Sequence, residues 1–100
     1  MAGLKRARRP TTPGEILREM FLKERGIKMA EFAAAIEVSQ KHLSRLVNGH
    51  VSITPDMAVR LSKSLGTSVQ LWLNMQSAVD AYDAEEAAKK WKPKKVFESA

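Results

Sequence analysis

From Thr12 onward, apolar positions recur three or four residues apart, and no stretch alternates with the two-residue period of a strand. Proline, glycine and capping residues cut this pattern into five helical segments. Thr12-Pro13-Gly14-Glu15 reads as a capping box with proline at the first helical position; Ile16, Leu17, Met20 and Phe21 form its stripe, and Gly26 supplies a stop. A shorter helix is predicted over about Met29 to Ile36, with Phe32, Ala33 and Ile36 inward. Ser39 is a good N-cap for a third helix that ends at Asn48-Gly49. Thr54-Pro55 opens a fourth, carrying Met57, Ala58, Leu61 and Leu65 and closed by Gly66. Thr67-x-x-Gln70 reads as another capping box, opening a fifth helix that runs to about Lys90 before Pro93. The short connections predict an all-α fold, a compact five-helix domain with a central helix-turn-helix. Residues 12–90 form that domain in this reading, between a flexible basic arm (1–11) and a basic tail (91–100).

The central pair carries the most information. A three-residue turn, Glu37-Val38-Ser39, joins helices two and three; Ala33 is small where crossing helices approach, and Val38 can plug the turn against the core. On a helical wheel, Leu43, Leu46 and Val47 share an arc of about 100°, while Lys41, Arg45, Asn48 and, at the margin, Ser44 face the other way. Residues 39–48 contain no carboxylate. Such an outer face can bond phosphate oxygens and the acceptor edge of guanine in a major groove. Gln40 and Lys41 lie in the first turn, where a recognition helix meets the bases. A plain solvated helix face is the competing interpretation, but small residue, short turn, cap and acid-free surface together favour DNA.

The fifth helix is apolar over too much of its circumference for one core. Val69, Trp72, Leu73 and Val79 define one side, and Leu71, Met75, Ala78 and Tyr82 the next. Together they span roughly 220°, against about 100° or a little more for a helix lying on a single core. The excess predicts a twofold homodimer, with Trp72 in the core and Leu71, Met75, Ala78 and Tyr82 at the interface. The pairs Glu85–Lys89 and Glu86–Lys90 are expected to lace a solvated extension.

Composition narrows the class further. The chain has 100 residues, 44% hydrophobic and 28% charged, with no cysteine, which excludes disulfides and thiolate chemistry. No stretch is long and apolar enough to span a bilayer, and no apolar run follows the basic N-terminus as in a secretory signal, so a cytoplasmic protein is expected. The net charge of +6 sits entirely at the ends: Lys5, Arg6, Arg8 and Arg9 in front, and Lys89, Lys90, Lys92, Lys94 and Lys95 against Glu98 behind. Between them, residues 12–86 hold eight basic and ten acidic side chains. Arg6, Arg8 and Arg9 are therefore candidate arm contacts to phosphates or a minor groove. His42 is expected to be solvated, and His50 sits eight residues away without companion ligands, so no metal site and no cofactor are expected. Nothing groups a nucleophile, base and orienter, or builds a glycine-rich phosphate loop, so an enzyme is the least favoured class.

Four stretches bring in a known family: Thr12-Pro13-Gly14-Glu15-Ile16-Leu17, then Ser44-Arg45-Leu46-Val47-Asn48-Gly49, then Ile53-Thr54-Pro55-Asp56-Met57-Ala58-Val59-Arg60-Leu61, and finally Leu65-Gly66-Thr67-Ser68-Val69-Gln70-Leu71-Trp72-Leu73-Asn74-Met75-Gln76. The central segment resembles the lambda-repressor-like (XRE) helix-turn-helix class, and Thr12 to about Tyr82 resembles the HigA antitoxins, or VapI-type proteins. The resemblance implies DNA contacts from Ser39, Gln40, Lys41, Arg45 and Asn48, and a phosphate-facing Lys28. It also implies a transcriptional repressor that reads a palindromic operator on double-stranded DNA and serves as the antitoxin of a type II pair. The protein partner so implied is a small basic HigB-type toxin, an mRNA-cleaving ribonuclease. Glu37 departs from the family, which usually has glycine in that turn; a left-handed residue there costs roughly 1 kcal/mol. Two other functions stay open at this point: a stand-alone or phage-type repressor without a toxin, and a helix-turn-helix used only for protein contacts.

Overall fold

The computed structural model describes residues 8–98, and among these there are five helices and no strand. The first, α1 (Pro13–Ile16), runs straight into a π-helical segment, Leu17–Leu22. Then follow α2 (Met29–Ala35), α3 (Gln40–Val47), α4 (Pro55–Leu65) and α5 (Val69–Ala87). Thr12, Ser39 and Thr54 cap as expected, their hydroxyl oxygens accepting from the amides of Glu15, His42 and Met57. The π-helical segment is not legible from residue spacing; its wider turn shows in the Lys23 amide donating to the Arg18 carbonyl at 3.0 Å.

Two expectations at α5 are corrected. Ser68, not Thr67, is the N-cap, accepting from the Leu71 amide at 3.0 Å. The Thr67 hydroxyl instead accepts from the Trp72 indole N–H at 2.7 Å, a buried donor that must find a partner. At the other end the helix stops at Ala87 rather than near Lys90. With the helix ended, the Glu85–Lys89 and Glu86–Lys90 pairings are replaced by a Lys89–Glu86 contact at 3.9 Å.

One core unites the helices. Leu17 and Leu22 meet Phe32, Ala33 and Ile36 of the α2 region, Leu43, Leu46 and Val47 of α3, Met57, Ala58, Leu61 and Leu65 of α4, and Trp72 of α5. Val38 is half-buried against this cluster, plugging the turn as its position suggests. Helix α1 packs on both α3 and α5, α2 on α3, and α4 on α5. Gln76 ties the loop after α3 to α5: its side-chain oxygen accepts from the Ile53 amide at 2.8 Å.

The turn before α3 is left-handed at Glu37, with φ of 61°, and the Val38 amide closes it onto the Ala33 carbonyl at 2.9 Å. Gly26, Gly49 and Gly66 hold the equivalent positions after the other helices, with φ of 64°, 76° and 75°. Among the described residues, only here does a side chain bear the left-handed strain. Glu37→Gly should therefore stabilise the fold by about 0.5–1 kcal/mol, after allowing for the greater unfolded-state freedom of glycine. Urea unfolding would measure it, and a midpoint that falls would contradict it.

Candidate nucleic-acid interface

Helix α3 separates its two sides cleanly. Leu43, Leu46 and Val47 are buried, while Gln40, Lys41, Ser44 and Arg45 are exposed. The three large polar side chains, Gln40, Lys41 and Arg45, make no hydrogen bond or ion pair to other described residues. No carboxylate lies on the helix; the acid nearest in sequence, Glu37, belongs to the turn, and Glu31 and Asp56 belong to α2 and α4. This leaves two cations, an amide and a hydroxyl directed to solvent from one helix, the donor set that a major groove and its flanking phosphates accept.

The other predicted contacts divide. Ser39 is exposed, but its oxygen is engaged in capping, which leaves its proton to donate. Lys28 is exposed at the cap position of α2, where its amide reaches Glu31 Oε1 at 3.5 Å. Asn48 stands at the C-cap of α3 with both ends of its amide in use: Nδ2 donates to the Ser44 carbonyl at 2.9 Å, and Oδ1 accepts from Arg18 Nη1 at 3.2 Å. A base contact from Asn48 would have to use the remaining Nδ2 hydrogen or Oδ1 lone pair, with the side chain held in place by these two bonds. His42 and His50 are both exposed.

The arm arginines behave differently from one another. Arg8 is exposed, and Arg6 lies outside the described residues. Arg9 pairs through both ends of its fork with Asp83 of α5, at 2.8 and 2.9 Å. The hydrogen bond from Arg9 holds the Asp83 carboxyl below the usual carboxylate range, so this strap is intact at neutral pH and weakens only as acid protonates Asp83. Arg9 thus anchors the base of the arm to α5, a pairing 74 residues apart that spacing does not reveal.

Three arginines whose partners lie on other elements escape a sequence reading. Arg18 bridges Asn48 and Glu19; its bond and that of Lys23 hold the Glu19 carboxyl below its ordinary range, Lys23 the more strongly. Arg25 lies over the Phe21 ring at 5.3 Å and donates to the Leu65 carbonyl at the end of α4. Arg60 on α4 donates from Nη1 to the carbonyls of Ile36, at 2.8 Å, and Glu37, at 3.2 Å. Arg60 also pairs with Asp56 one turn away on its own helix, whereas the carbonyls that Arg25 and Arg60 reach lie on other elements and are not given by spacing.

On α5, Trp72 and Val79 are fully buried within this chain. Met75, Ala78 and Tyr82 are half-buried, Met75 partly against the chain's own core, and Leu71 remains 38% exposed. Among the described residues, no helix is long and apolar enough to cross a membrane and no group of three or more acids and histidines converges as a metal site.

The helix-turn-helix family model matches residues 17–72. An uncharacterized HTH-type transcriptional regulator of Escherichia coli (strain K12), YbaQ, is 41% identical over 78 residues, which are 78% of this chain and 69% of the relative. Antitoxin HigA-1 of Vibrio cholerae serotype O1 (strain ATCC 39315 / El Tor Inaba N16961) is 40% identical over 93 residues, 89% of this chain and 88% of the relative. The solved structure of the Pseudomonas aeruginosa antitoxin HigA with the higBA promoter is 38% identical, with a TM-score of 0.81 over 89% of this chain and 97% of that one. Likeness of that extent, on top of an exposed acid-free α3, makes this chain a member of the helix-turn-helix family that includes the HigA antitoxins.

Proposed function

We propose that the protein is a sequence-specific DNA-binding repressor and the antitoxin of a type II toxin–antitoxin pair. The observation that carries the DNA reading is the outward set Gln40, Lys41, Ser44 and Arg45 on a helix whose opposite side is buried. It acts as a homodimer through α5, using Leu71, Met75, Ala78 and Tyr82, so that two copies of α3 read the half-sites of a palindromic operator roughly 34 Å apart. Ser39 and Lys28 add contacts at the helix start and the phosphates, and Arg8 with Arg6 extends along the backbone beyond the Arg9 anchor. Asn48 serves here mainly to end α3 in register with Arg18. A protein working on an operator acts in the cytoplasm. The second partner is a small basic HigB-type toxin that cleaves mRNA; support for it comes from likeness to proteins named as HigA antitoxins.

Two measurements test this reading. If Arg45 reads a base, Arg45→Ala should cost about 1–3 kcal/mol in operator binding and relax preference at one position. Equal weakening on every duplex would instead make Arg45 a phosphate contact, and no salt-sensitive binding by the parent protein would remove the DNA reading. Co-expression with the product of an adjacent small reading frame should yield a stable complex and relieve growth arrest. A freely separating pair, or no such frame, would leave a stand-alone repressor.

A further inference from the structure

We infer that Arg60 is a positioning residue for DNA binding: by holding the carbonyls of the strained turn it sets the aim of α3. The inference rests on the DNA-binding function proposed above and deepens it. Three observations converge on it. Glu37 occupies a left-handed conformation that the three corresponding glycines adopt without a Cβ penalty. The carbonyls of Ile36 and Glu37, at the end of α2, have no further helical turn to accept from, and Arg60 Nη1 bonds both. Asp56, one turn earlier on α4, fixes the guanidinium through Arg60 Nε at 3.2 Å. Helix α4, on the far side of the turn, thus clamps the joint between α2 and α3. The donor is charged and its shorter bond, to the Ile36 carbonyl, is partly buried, which makes that bond stronger than an exposed pairing.

The clamp should matter most where the turn is strained. Arg60→Ala is expected to weaken binding to a duplex carrying the DNA upstream of the chain's own reading frame by about tenfold, the size of one lost charge-assisted bond. The same substitution in a Glu37→Gly background should lose less than about threefold, because glycine holds the left-handed turn unaided. The dependence of binding on salt should keep its slope, whereas loss of a phosphate contact lowers it by about one. A readout free of DNA accompanies these: hydrogen exchange at the Val38 amide, bonded to Ala33, should quicken in Arg60→Ala while the amides of α5 keep their protection. Should Arg60→Ala fail to fold, Arg60→Lys carries the test, since one ammonium nitrogen cannot stand both where Nε faces Asp56 and where Nη1 faces the carbonyls; faster Val38 exchange with partial loss of affinity is the expected result.

The inference is overturned if Arg60→Ala lowers only the melting temperature and leaves affinity within about twofold, if the loss is equal in both backgrounds, or if the salt slope falls. Unchanged Val38 exchange in a folded variant overturns it as well. Failure of the parent protein to bind any duplex, with Val38 exchange still responding to Arg60, would instead remove the proposed function and leave the clamp in place.

Discussion

Trp72→Ala is expected to cost about 3–5 kcal/mol of folding stability, the range for deleting a large buried aromatic side chain. Trp72 is fully buried, its ring lies 5.4 Å from that of Phe21, and its N–H bonds the Thr67 hydroxyl. Removing it leaves a cavity where α5 meets both the π-helical segment and the end of α4. A domain of this size has about 5–15 kcal/mol in total, so the variant should unfold at markedly lower urea and be partly unfolded at 37 °C if the parent lies near the lower figure. Trp72→Phe separates the contributions: it retains most of the buried area and leaves Thr67 to pair with water. Its loss should be well under that of alanine. A urea midpoint for Trp72→Ala close to that of the parent would mean that α5 is not docked through this ring.

Gly14→Ala is the second large effect, expected at about 3 kcal/mol from overpacking against backbone. A Cβ on Gly14 would press into the Leu46 carbonyl oxygen and stand 2.7 Å from the carbonyl carbon and 3.0 Å from Val47 Cα. The obstacle is main chain on both sides, so no rotamer change can relieve it. Helix α1 or α3 must move, and α3 carries the exposed polar surface. DNA affinity of the folded fraction should therefore fall along with stability. Gly26→Ala is the contrasting control: its Cβ would meet nothing within 4 Å, so only the left-handed penalty of roughly 1 kcal/mol applies, with no effect on DNA binding. Equal behaviour of the two variants in denaturation and binding would show that the α1–α3 contact is looser than its geometry indicates.

These two positions also mark where sequence reading stops. Trp72 was legible as core because the stripe on α5 repeats with helical period, a local property. The identity of its hydrogen-bond partner was not: Thr67 looked like the cap of the helix, and Ser68 has the same chemistry one residue later. Gly14 read as part of a capping box, while its closer constraint is the backbone of a helix more than thirty residues away. Asn48 looked outward on the wheel, but a wheel carries no information about Arg18, which arrives from another helix and occupies its oxygen. Arg9 counted as free positive charge until the fold brought Asp83 to it.

By itself the sequence determined the number of helices, most of their boundaries, the buried stripes of α2, α3 and α4, and the acid-free outer surface of α3. All of these follow from interactions within one helical turn, caps, glycine stops and the 3.6-residue period, which act on neighbours along the chain. In the first helix the same pattern placed Met20 inward, where the structure leaves that side chain 61% exposed and buries Leu22 instead. Only the tertiary structure decided which polar side chains stay available and which are spent on holding the scaffold. Lys41 and Arg45 remain open to solvent, while Arg9, Arg18 and Arg60 are committed to a carboxylate, an amide and two carbonyls. The reason is physical: a cation's partner is chosen by distance in space, and residues far apart in the chain become neighbours only when the core closes.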